Sequence, residues 1–141
     1  MDRKSISGLV VLLTRGTISW DSKKQLTIAL STVKVEFIAV SIAVKEVLWY
    51  QALFRLLDMP LTYATRVLID NQGALDLIKS RHINDHTKHI DTKYQYICDH
   101  ENNSDIRTKY VSTEDQVADI MTKPLGTKKF LHFCVLIGIK E

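Results

Sequence analysis

Three carboxylates in this 141-residue chain sit in unusually apolar company. Glu36 lies between Val35 and Phe37, Asp70 closes the run Val67-Leu68-Ile69, and Asp119 follows Val117-Ala118 and precedes Ile120-Met121. A carboxylate among apolar neighbours is costly unless it is paired or bound to a cation, and a cluster of hard oxygen donors is the usual site for Mg²⁺. Asp70 is the best placed of the three, because ligands of α/β sheets gather at the carboxyl ends of strands. Each also has a plainer reading. Asp70 fits the cap of the helix that follows it, and Glu36 and Asp119 fit exposed or rim positions on helices. Spacing alone does not bring the three together.

Other side chains could also carry chemistry. His82, His86 and His89 have spacings of four and three that suit a metal site on a helix. Asn84-Asp85 disfavours a helix there and no cysteine ligand or glutamate base accompanies them, so a solvated or nucleic-acid-facing loop is expected instead of a zinc site. Lys23, Lys24, Lys79, Arg81 and Lys88 recur near strand-helix junctions, where phosphate contacts are made, and fit ordinary solvated charges equally well. Cys98 and Cys134 lie in apolar helical settings and read as core residues in a reducing compartment. No G-x-S-x-G, P-loop or G-x-G-x-x-G motif occurs, which leaves serine hydrolase, nucleotide triphosphatase and dinucleotide enzyme readings without a warrant.

The elements that must position these residues follow from apolar periodicity. Leu9 to Leu13 and Thr17 to Trp20 read as a hairpin with its turn at Gly16, and Val33 to Leu57, without Gly or Pro, as a helix of about 25 residues buried on more than one face. Arg66 to Asp70 reads as a buried strand running into a helix from Asn71 to Lys79. A polar loop from Ser80 to Thr87, a helix from Ile90 to His100 and a strand from Ile106 to Val111 follow. Ser112 or Thr113 is expected to cap a helix carrying Val117 to Met121, which Pro124 stops, and Lys128 to Ile137 forms a last apolar helix. This order predicts a mixed α/β sheet flanked by helices, with parallel pairing of the later strands.

Composition sets the outer bounds. With 45% apolar and 25% charged residues the chain reads as one globular domain, and Lys plus Arg exceed Asp plus Glu by only three. That balance permits a polyanionic partner without demanding one. Neither a signal-peptide stretch nor a membrane span is expected.

Six strings, in order along nearly the whole chain, then become specific. They are Ile18-Ser19-Trp20-Asp21-Ser22-Lys23-Lys24-Gln25, Ala29-Leu30-Ser31, Glu36-Phe37-Ile38-Ala39, Asp70-Asn71-Gln72, Thr87-Lys88-His89-Ile90-Asp91 and Ala118-Asp119-Ile120-Met121-Thr122-Lys123-Pro124-Leu125. Together they resemble the ribonuclease H domain of copia-type retrotransposon Pol polyproteins. The resemblance implies a ribonuclease H-like mixed sheet over residues 1–125 with a C-terminal helical tail over 126–141. It implies cleavage of the RNA strand of an RNA-DNA hybrid with two Mg²⁺ or Mn²⁺ ions, Glu36, Asp70 and Asp119 matching three of the family's four catalytic, metal-holding carboxylates. Lys23, Lys24, Gln25, Asn71, Gln72, Lys88 and His89 match substrate-contacting positions, where amides can reach the 2′-hydroxyls that distinguish RNA from DNA. Reverse transcriptase and integrase regions of a parent polyprotein are the implied protein partners. The implied setting is intracellular, in a cytoplasmic virus-like particle or the nucleus, with no membrane.

The departures from the family shape the expectation. A central strand bearing the first catalytic aspartate, in a motif like Asp-x-Asp-Trp-Ala-Gly, precedes the Arg-Lys-Ser segment in the family, whereas here only Met1 and Asp2 precede Arg3-Lys4-Ser5, and Asp2 resembles a linker position. The resemblance thus predicts an N-terminally truncated domain with two unpaired sheet edges and impaired activity. Thr32-Val33-Lys34-Val35-Glu36-Phe37 stands for the usual Ser-Thr-Glu-Ala-Glu-Tyr, His86 for arginine and Gln95 for histidine. The alternative expectation is a non-catalytic nucleic-acid-binding or protein-interaction remnant.

Overall fold

The computed structural model describes residues 5–25, 32–80 and 91–139. It is a mixed α/β structure in the order β1 (Ile6–Leu13), β2 (Gly16–Lys24), α1 (Thr32–Leu56), β3 (Thr65–Ile69), α2 (Gln72–Ser80), α3 (Asp91–Asn102), β4 (Ile106–Tyr110), a 3-10 helix (Val117–Met121) and α4 (Thr127–Leu136). The mixed sheet expected from the sequence is divided. β1 and β2 form an antiparallel pair, and β3 and β4 form a parallel pair. No described segment supplies a strand that joins the two. The chain correspondingly separates into two compact units, one built of residues 31–111 and the other of 1–30 with 112–141.

In the unit of residues 31–111, Phe37, Val40, Val44 and Val47 recur on α1 at spacings of three and four and are all buried. That stripe meets Val67 and Ile69 of β3, Ala74, Leu75 and Ile78 of α2, Tyr94, Ile97 and Cys98 of α3 and Ile106 of β4 in one core. Fully burying such side chains is worth roughly 1.5–3 kcal/mol each, which fixes α1 where propensity alone would not. The Phe37 and Tyr94 rings meet edge to face at 5.6 Å, and the Tyr94 hydroxyl donates to the Leu77 carbonyl at 2.9 Å. By length and composition α1 is long and apolar enough to cross a bilayer, with a mean hydropathy of 1.5, a test that a buried core helix also passes. Its buried stripe nevertheless faces protein.

β4 has one edge on β3 and the other closed by a side chain. Glu101 of α3 accepts the Thr108 backbone N–H at 2.7 Å and pairs with Lys79 of α2. Burial alone would push the Glu101 carboxyl up. The Lys79 hydrogen bond, the Thr108 backbone N–H and the Lys79 charge outweigh it and hold the group below its ordinary value.

In the other unit, the hairpin turn is made by Thr14 and Arg15, with Thr14 in the left-handed region at φ 60°, while Gly16 already pairs with Leu13 as the first residue of β2. The turn expected at Gly16 is therefore shifted by two residues, because Thr14 takes the positive φ that a two-residue hairpin loop needs. The helix expected behind a Ser112 or Thr113 cap shrinks to the five-residue 3-10 helix. Ser112 Oγ donates to Asp115 at 2.7 Å and caps nothing. The place of the 3-10 helix is fixed by Gly8 of β1, where a Cβ would lie 2.6 Å from both the Ala118 carbonyl oxygen and Thr122 Cγ2, and by Ser22 Oγ donating to the Met121 carbonyl at 2.6 Å.

Candidate active site

Asp70 is the residue after β3, at the carboxyl end of a strand in a parallel pair, where the sequence reading put it. It does not cap α2. Asn71 does, with Oδ1 accepting the Ala74 N–H at 2.8 Å. Asp70 is half-buried, and no hydrogen bond or ion pair engages its carboxylate among the described residues. Leaving a half-buried carboxylate unpaired runs against the usual economy of folded chains, so its oxygens are available to a cation or a donor.

Glu36 comes from the start of α1. A Cβ on Gly73, in the first turn of α2, would lie 4.0 Å from Val33 Cγ2, so the opening turns of α1 and α2 lie side by side. Glu36 is three residues beyond Val33 and shares its side of the helix. It is half-buried, which fits the rim position of the plainer reading. The fold of residues 31–111 thus puts Glu36 and Asp70 at adjoining helix starts, at one end of the parallel pair.

Asp119 lies in the other unit and is buried, at 8% exposure, which overturns the exposed or rim reading for this residue. The 3-10 turn is closed on its backbone: its N–H donates to the Gln116 carbonyl at 3.1 Å, and its own carbonyl accepts the Thr122 and Lys123 N–H groups at 3.1 and 3.2 Å. That turn carries Lys123 round to Asp119, Nζ to Oδ2 at 2.8 Å. Lys129 of α4 stands 4.0 Å from the same oxygen. Its ammonium is anchored by the Thr113 carbonyl at 2.9 Å, Glu114 at 3.4 Å and the face of Phe133 at 5.4 Å. Sequence spacing carried a signal for Lys123, four residues on from Asp119. It carried none for Lys129, which arrives on a separate helix.

The expected substrate contacts fall into three groups. Lys23 and Lys24 are exposed on β2, as a phosphate contact requires. Gln25 is buried, with Nε2 donating to Ser7 Oγ at 2.7 Å, so its amide ties the hairpin together. Asn71 spends Oδ1 on the cap and Gln72 donates to Asp76 at 2.7 Å along α2. Lys88 and His89, with His82 and His86 of the histidine set, lie outside the described residues. Within either unit, no three His, Cys, Asp or Glu side chains among the described residues group closely enough to hold a metal.

A mixed α/β chain with carboxylates at a strand end and beside a buried turn is the class that this geometry defines. Homologues of the chain are retrovirus-related Pol polyproteins of plant copia-type transposons, which makes it a retroelement-derived domain. It is 37% identical over 95 residues to the Pol polyprotein from transposon TNT 1-94 of Nicotiana tabacum, covering 67% of this chain and 7% of that protein. It is 34% identical over 138 residues to the Pol polyprotein from transposon RE1 of Arabidopsis thaliana, covering 98% of this chain and 9% of that protein. A segment of 47 residues is 47% identical to secreted RxLR effector protein 161 of Plasmopara viticola, a third of each chain. The chain spans less than a tenth of the length of these two Pol polyproteins. No family model matches it, and no solved structure matches it significantly.

Proposed function

We propose that this retroelement-derived domain is of the ribonuclease H type, directed at the RNA strand of an RNA-DNA hybrid, with Glu36, Asp70 and Asp119 as its acidic residues. The observation that carries the reading is the unpartnered, half-buried Asp70 carboxylate at the end of a parallel strand, beside the helix start that bears Glu36. Carboxylate oxygens are the donors that Mg²⁺ or Mn²⁺ selects, and such ions, when bound, supply an activated water and stabilise the leaving oxygen. The chain's own residues hold the carboxylates in place. The Asn71 cap fixes the backbone next to Asp70, and the Gly8 contact fixes the turn under Asp119. Lys23 and Lys24 face solvent, where they can meet the phosphate backbone of a hybrid. A setting inside a cytoplasmic virus-like particle or the nucleus, beside reverse transcriptase and integrase regions, accords with this reading.

The test is Mg²⁺-dependent cleavage of a labelled hybrid by the full chain, abolished by Asp70→Asn. Cleavage that survives Asp70→Asn would overturn the assignment. A second reading, binding without cleavage, is favoured by Asp119, whose charge is already met by two ammonium groups. It requires salt-sensitive hybrid binding with no cleavage at any Mg²⁺ or Mn²⁺ concentration.

A further inference from the structure

On β3 and β4 the buried side chains Val67, Ile69, Ile106 and Thr108 alternate with exposed ones. The parallel register places Arg66 level with Arg107 and Leu68 level with Lys109, so three cations and one leucine share the outer face of the pair. Arg66 and Arg107 are neighbours across about 4.8 Å of strand spacing, and Lys109 stands two residues further along, about 6.6 Å. Like charges directly opposite one another in a sheet are destabilising. No hydrogen bond or ion pair among the described residues offsets them at Arg66, Arg107 or Lys109. Arg107 also borders a cavity of about 220 Å³ that Lys79, Glu101, Asn102, Ile78 and Cys98 line, in which Lys79 is paired with Glu101.

We infer that this sheet face is a second nucleic-acid contact, in which Arg66, Arg107 and Lys109 bind the phosphate backbone outside the carboxylate region. The inference rests on the proposed reading only in taking nucleic acid as the partner. A protein partner fits poorly, because protein interfaces exclude charge from their centres and seat aromatic or apolar anchors there, whereas this face offers one leucine among three cations. A nucleic-acid strand carries one charge per 3.4 Å of rise, so the patch faces about two phosphates of one strand and needs no apolar centre. Contacts of this kind are independent of sequence and of the sugar.

The experiment measures binding of the full chain to a fluorescein-labelled 20-base-pair RNA-DNA hybrid in EDTA, by anisotropy, across a range of KCl concentrations. R66Q/R107Q/K109Q, which removes contacts to about two phosphates, is expected to reduce the slope of log K against log salt by about 1.8. With equal binding at 1 M salt, that corresponds to a loss of about 60-fold at 0.1 M. The charge-matched control K45Q/R55Q/K93Q, on α1 and α3, is expected to change the slope by less than one. Equal effects of the two triple variants, or an unchanged slope in the first, would overturn the inference. So would binding of polyglutamate as tight as that of the hybrid. In the unmodified protein, bound hybrid should protect Lys109 from acetylation, read by mass spectrometry, and no protection counts against the site. Because these measurements exclude divalent metal, a failure of hybrid cleavage leaves them intact and bears on the proposed function alone.

Discussion

The two lysines at Asp119 set distance against screening, and their surroundings decide which should win. Lys123 is the closer, at 2.8 Å, but its side chain is 48% exposed. Lys129 stands at 4.0 Å with its side chain only 22% exposed. At one effective dielectric of about 20, these distances give attractions of about 6 and about 4 kcal/mol, and Lys123 would dominate. In a water-like dielectric of about 80 the Lys123 attraction drops to about 1.5 kcal/mol before the entropy of holding a long side chain, and exposed pairs four residues apart on a helix typically yield only about 0.3–0.5 kcal/mol. Lys129 keeps more of its attraction, since the Thr113 carbonyl, Glu114 and the Phe133 ring already hold its ammonium. The expected coupling energies are therefore about 1–2 kcal/mol for Lys129 with Asp119 and below about 0.5 for Lys123 with Asp119. Two double-mutant cycles, Lys129→Met and Lys123→Met each with Asp119→Asn, measured by urea denaturation, test the order. Methionine keeps the apolar stem, and the cost of removing the ammonium from Thr113 and Phe133 cancels within the cycle. A Lys123 coupling equal to or above that of Lys129 refutes the reasoning.

Three further outcomes follow from the same geometry. Gly8→Ala places a Cβ 2.6 Å from the Ala118 carbonyl oxygen and from Thr122 Cγ2, and should cost about 1–3 kcal/mol by denaturation. Adding Thr122→Ser removes only the methyl clash and should restore only part of the loss. Asn71→Ala removes the α2 cap and should cost about 1 kcal/mol, whereas Asn71→Asp, which keeps an accepting oxygen, should cost little. Glu101 is held below its unfolded value, so its contribution is complete above the unfolded pKa and is lost as pH falls through the folded one. The stability gap between the native chain and Glu101→Gln should accordingly be flat near neutrality and narrow in acid, and a gap that widened in acid would contradict the ion pair with Lys79.

The elements were legible where local pattern and long-range packing agree. α1 has the length expected, displaced by one residue to Thr32–Leu56, but its buried residues form one stripe and not the more than one face expected. The parallel pairing of β3 with β4 was legible in the strand-helix-helix-strand order. What failed depended on partners remote in sequence. The 3-10 turn at Val117–Met121 read as a full helix because its apolar residues suit one, yet its conformation answers to β1, where Gly8 lets the Ala118 carbonyl approach. The burial of Asp119 and its lysine partner on α4 were invisible for the same reason. The cap of α2 was missed by one residue, since Asp70 and Asn71 are both good capping types and only the chain path out of β3 decides between them.

Asp70 and Asp119 show two different answers to the same problem, a carboxylate flanked by apolar sequence. Asp119 has its counter-charge built in, as two ammonium groups within 4.0 Å of one oxygen that accepts no hydrogen bond. Asp70 has no side-chain partner among the described residues and stands just ahead of the capped start of α2, where the partial positive charge of the helix end favours an anion by a few tenths to about 1 kcal/mol. That attraction is too weak to occupy its lone pairs. A cation approaching Asp119 meets two like charges, whereas one approaching Asp70 meets none on that carboxylate. A cation at Asp70 has no built-in charge to displace, whereas one at Asp119 must displace Lys123 and Lys129.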